Sequence, residues 1–137
     1  MKLYVDEAGT PLVQARVEEA EAVLTARITY AEARAAFARH TREGAVSPDA
    51  LRRIVRELDG EWATYSIVDL TEPLVRLAGT LAERHALRGY DAVHLAAALD
   101  VARSGAHVEF AAFDRHLNQA ARRERLRLTA APGRERR

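Results

Sequence analysis

Three acidic residues in this sequence stand where carboxylates can do chemistry: Glu32, Asp91 and Asp114. Glu32 falls in the first turn of the helix expected after the short apolar run AVLTA, residues 22–26. Asp91 lies at the start of the segment GYDAVHLAAAL, and Asp114 closes the run HVEFAAFD. In an open α/β sheet, strand ends and the helix N-termini that follow them gather along one edge, where ligands bind. Three carboxylates converging there repel one another unless a cation lies among them. Hard oxygen donors suit Mg²⁺ or Mn²⁺, which a few carboxylates hold together with substrate phosphate. Such an ion can activate a water and stabilise charge on a phosphodiester under in-line attack. Each acid also has a plain structural role. Thr29-x-x-Glu32 has the form of a capping box, Asp91 complements a helix dipole, and Asp114 can cap the helix after it.

The elements that must position these acids alternate along the chain. Thr10-Pro11 predicts a helix to about Ala20, and AVLTA a strand. Thr29 is expected to cap a helix with Tyr30, Ala33, Phe37 and His40 on one side, ended by Gly44. Ser47-Pro48 starts another, whose Leu51, Ile54, Val55, Leu58 and Trp62 show the clearest helical period. Residues 65–68 read as a second strand. Thr71-Glu72-Pro73 then opens a helix with Leu74, Leu77, Ala78, Leu81 and His85 inward. Gly89 is expected to stop it, and Tyr90-Asp91-Ala92 to start the next, with Ala92, Leu95, Ala96, Leu99 and Ala102 on its apolar face. A strand ending at Phe113-Asp114, a helix over 115–124 and an edge strand over 126–129 complete the series. Alternating strands and helices mean parallel βαβ units. The expected sheet therefore uses residues near 22–26, 66–69, 108–112 and 126–129.

A chain of 137 residues with 48% hydrophobic residues fits one domain with a real core. Its net charge is only +1, but seven arginines and two glutamates between Arg122 and Arg137 give that end +5 and leave −4 elsewhere. A basic end can follow a phosphate backbone, although such runs commonly form a solvated tail. There is no cysteine, hence no disulfide and no thiolate metal site. No apolar run approaches the ~20 residues of a membrane span, and no signal peptide is visible; a cytoplasmic protein is expected. His40, His85, His94, His107 and His116 show no zinc-ligand spacing, and no phosphate-binding glycine loop or nucleophile elbow occurs.

The segments ITYAEARAAFARH, HALRGYDAVHLAAAL and VEFAAFDRHLNQAA resemble the PIN-domain nucleases, and most closely the VapC-type toxins of type II toxin–antitoxin pairs. The likeness runs from Leu3-Tyr4-Val5-Asp6-Glu7 to Leu128. It implies an α/β fold in three layers, a mostly parallel sheet with helices on both faces. It also implies a Mg²⁺- or Mn²⁺-dependent endoribonuclease, usually a homodimer, that acts on RNA and is neutralised by a small antitoxin. Carried over residue by residue, Glu32, Asp91 and Asp114 become the second, third and fourth acids of the metal site. The domain is expected over 1–131, with a basic disordered tail over 132–137.

One feature departs from that pattern. The family opens with a strand ending in an aspartate, followed by a helix whose end looks like the MKLYVDEAG that begins this sequence. The first central strand and first catalytic aspartate are therefore expected to be missing from this chain. Neither Asp6 nor Glu7 can replace that acid, because both lie beyond the helix it should precede. Without the strand, AVLTA and HVEFAAF would face each other across a gap of one strand, two spacings of ~4.8 Å. A gene start set too late explains this; a truncated, non-catalytic PIN remnant that binds an antitoxin or RNA is the alternative. A PIN nuclease working outside any toxin pair is the third reading.

Overall fold

The computed structural model describes residues 23–112 and 114–129. The helix expected over 10–20, Phe113 and the basic tail lie outside the described residues. The described chain runs β1 (Leu24–Ala26), α1 (Thr29–Arg42), α2 (Pro48–Trp62), β2 (Ser66–Val68), α3 (Glu72–His85), α4 (Gly89–Arg103), β3 (Glu109–Phe110), α5 (Arg115–Arg123) and β4 (Arg127–Leu128). The alternation is that of an α/β domain, with shorter strands than the apolar runs suggest.

Local chemistry sets most of the helix boundaries. Ser47 accepts the Ala50 amide at 3.1 Å and Thr71 accepts that of Leu74 at 3.3 Å, each from extended backbone with proline at the next one or two positions. Gly44, at φ +81°, takes the left-handed turn just beyond α1. The stop after α3 differs from expectation. It falls at Ala86, left-handed at φ 54°, where the Leu87 amide returns to the Ala82 carbonyl at 3.0 Å. Gly89 instead begins α4.

The four strands pair in parallel, but as two separate units. In β1–β2 the register is Leu24 with Ser66, Thr25 with Ile67 and Ala26 with Val68. In β3–β4 it is Glu109 with Arg127 and Phe110 with Leu128. No strand pairing joins β1 or β2 to β3 or β4 among the described residues, so the four strands do not form one continuous sheet there, and the break lies between AVLTA and HVEFAAF, where a gap of one strand is expected. Burial of apolar side chains holds the pairs to one body. Ala26 of β1, Leu74, Ala78 and Leu81 of α3, Leu95, Ala96 and Leu99 of α4, Phe110 of β3 and Leu117, Ala120 and Ala121 of α5 form a single core. Leu95 has no solvent exposure, and burying a leucine fully is worth about 1.5–3 kcal/mol. A smaller second core, Ala33, Phe37 and Leu58, joins α1 to α2. No described helix is long and apolar enough to cross a membrane.

Candidate active site

Glu32 lies in the first turn of α1, exposed, but it does not belong to a capping box. The residue before the helix is Ile28, in helical conformation and with no side-chain cap. Thr29, expected as the cap, is the first helical residue; it is buried, and its hydroxyl accepts the Thr25 hydroxyl at 2.9 Å. The helix simply continues backward, with the Glu32 amide on the Ile28 carbonyl at 3.2 Å. Glu32 therefore has no reciprocal partner of the kind a capping box supplies.

Asp91 sits in the first turn of α4, half-buried, after Arg88 in extended conformation without a side-chain cap. The carboxylate makes no cap hydrogen bond to backbone among the described residues. Its pKa is raised, chiefly by burial and next by the negative charge of Asp114; Arg88 and His116 oppose this with positive charge. Asp91 and Asp114, far apart in sequence, are thus close enough to repel. Asp114 is the N-cap of α5, its Oδ1 accepting the Leu117 amide at 3.0 Å. The expected capping role is real, and it leaves the second carboxylate oxygen without a hydrogen bond among the described residues.

Tyr90 connects Glu32 to this pair. Its ring meets His94 edge-on at 4.5 Å. Its hydroxyl is pushed up to about 12, first by burial and then by the charges of Glu32 and Asp91. The phenol therefore stays protonated near neutral pH. Burial drives the neighbouring His94 down to about 4, so that ring is uncharged near neutral pH. Sequence reasoning placed Tyr90 only as a helix opener; its one signal was adjacency to Asp91.

Asp91 feels the charge of Asp114, and Tyr90 those of Glu32 and Asp91, yet no group of three or more His, Cys, Asp or Glu side chains among the described residues is gathered closely enough to hold a metal together. What the structure offers is an oxygen-donor pair, Asp91 and Asp114. That set fits a hard cation, because Mg²⁺ keeps several waters and takes one or two protein carboxylates plus phosphate oxygens. Asp69, another acid at a strand exit, is occupied: it pairs with Arg27, which follows the neighbouring strand, and this bond lowers its pKa.

The PIN domain model matches residues 2–123. The chain belongs to the PIN-domain family. Two curated relatives are each 38% identical over 131 residues, covering 96% of this chain and 90% of the relative. They are Ribonuclease VapC45 of Mycobacterium tuberculosis strain CDC 1551 / Oshkosh and Ribonuclease VapC49 of strain H37Rv. This PIN chain carries Asp91 and Asp114 at the starts of α4 and α5, both inside the matched region.

Proposed function

We propose that this chain is a metal-dependent endoribonuclease of the VapC toxin type, cleaving RNA phosphodiester bonds at the edge defined by Asp91, Asp114 and Glu32. The observation that carries the reading is the Asp91–Asp114 pair, a repulsive arrangement at adjoining helix starts that a divalent cation would relieve. Two relatives named as VapC ribonucleases support it.

Asp91 and the second carboxylate oxygen of Asp114 would hold Mg²⁺ or Mn²⁺, with Glu32 reaching it directly or through water. When bound, the ion supplies an activated water and stabilises charge on the phosphate. Asp91 responds to it electrostatically: a cation favours the ionised carboxylate that burial and Asp114 disfavour. Tyr90 keeps its proton and can donate to a phosphate oxygen or to a water held by Glu32. Arg88, exposed at the mouth of α4, sets positive charge beside Asp91, as an incoming phosphate requires. The proposed partners are RNA, a small antitoxin and a second copy of the chain, with the cytoplasm as the place of action.

The test is Mn²⁺-dependent cleavage of single-stranded RNA by the wild-type protein beside Asp91→Asn. The variant should lose at least about a hundredfold in rate while melting at or above the wild-type temperature. Equal cleavage by both proteins would overturn the assignment.

A further inference from the structure

We propose that His116 is a positioning residue: its hydrogen bond to the His85 backbone sets where Asp114 stands relative to Asp91. The proposal takes its functional meaning from the metal-site reading above.

His116 Nε2 lies 2.7 Å from the His85 carbonyl oxygen. A carbonyl only accepts, so Nε2 carries the proton and donates. Among the described residues this is the one hydrogen bond joining the first turn of α5 to α3 or α4. The other polar contacts there hold that end of α5 to its own neighbourhood. Asp114 accepts from Leu117, and the Asn118 side-chain amide donates to the Ala112 carbonyl at 2.7 Å. The remaining attachment of this first turn is apolar, through Leu117. Such contacts fix depth but are non-directional, so the direction of this end of the helix rests on the His116 bond.

His85 is a well-held anchor. It is the last residue of α3 and buried. Its Nε2 is 2.6 Å from Glu124 Oε2, and Arg84 Nη1 reaches the same oxygen at 2.7 Å. Glu124 is the C-cap of α5, so both ends of α5 are tied to the last turn of α3. From that turn the chain passes through left-handed Ala86 into α4 and Asp91. His85 is thus the common origin of both acids: the backbone leads from it to Asp91, and the His116 bond leads from it to Asp114.

The experiment uses the 137-residue chain as wild type, His116→Ala and His116→Gln, with Mn²⁺ alone as the probe. Glutamine keeps an N–H that can reach a carbonyl. Calorimetric Mn²⁺ affinity should weaken about tenfold in His116→Ala, and amide exchange at Leu117 should quicken roughly fivefold, with little change in melting temperature. His116→Gln should recover both to within about twofold. Wild-type Mn²⁺ affinity in His116→Ala, or a glutamine variant no better than alanine, overturns the proposal. If wild type binds no Mn²⁺, the metal reading fails and Leu117 exchange alone decides: unchanged exchange in His116→Ala overturns the positioning role, and faster exchange that glutamine restores upholds it.

Discussion

Glu32→Gln separates a helix-capping acid from a site acid, because the two roles predict opposite balances of stability and chemistry. Losing a working cap costs about 0.5–2 kcal/mol. Here that contribution is absent, since Ile28 precedes the helix and the Thr29 hydroxyl is engaged with Thr25. What remains to lose is the attraction between a first-turn carboxylate and the helix dipole, about 0.3–1 kcal/mol at most. The change in unfolding free energy should therefore stay below about 1 kcal/mol, measurable by urea denaturation. A second, independent readout is Tyr90, whose hydroxyl is held near 12 partly by the charge of Glu32. Carbon-13 titration of labelled tyrosine should show it moving downward in the variant. RNA cleavage should fall by roughly a hundredfold. A stability loss above about 1 kcal/mol with cleavage retained would refute this reasoning, as would an unmoved Tyr90.

Asp114→Asn should lower the pKa of Asp91, read by carboxyl NMR, and change stability by only a few tenths of a kcal/mol, because asparagine caps helices about as well as aspartate. Ala86→Gly should stabilise the protein by about 0.5–1 kcal/mol, seen in thermal melts, because an alanine at φ 54° carries a strain that glycine lacks. Burial disfavours the Glu124 carboxylate, but His85 and Arg84 hydrogen bonds and charge hold its pKa below the ordinary value. That stabilisation is present above the unfolded pKa and is lost as pH falls through the lower, folded one, so acid unfolding below about pH 4.5 should be blunted in Glu124→Gln.

The helices were legible because their signals are local. Ser47-Pro48 and Thr71-x-Pro73 announce two starts, and the apolar spacing of α2 and α4 matches the faces they bury. The α3 stop was misread because glycine was sought for the left-handed position, whereas exposed Ala86 takes it, with the Leu87 amide closing the turn on the Ala82 carbonyl. Thr29 was misread for a related reason: a hydroxyl three residues before a glutamate looks like a cap, but Thr25, on the adjoining strand, takes its oxygen first. Strand positions were readable from apolar runs, and a gap between AVLTA and HVEFAAF from the strand expected to be missing, while the short length of each strand was not. Of the candidate site, the placement of Asp91 and Asp114 at helix starts could be read from the sequence. The repulsion between converging carboxylates follows from those placements, whereas the burial of Tyr90 beside Asp91 and the anchoring of His116 on His85 could not be read, since each depends on contacts between separate elements.

The division of the interior into two cores has a consequence for how the three acids come apart. Asp91 and Asp114 belong to helices sharing the large core, so separating them requires breaking most of the molecule's buried surface. Glu32 rides on a helical pair whose own core is Ala33, Phe37 and Leu58. Opening that pair exposes far less apolar surface, and partial openings follow the lowest free-energy route. The first excursion away from the native state should therefore release the Glu32 arm as a unit while the two-aspartate half remains assembled. Anything that grips α1 and α2 together would then set how much of the population holds all three acids at once.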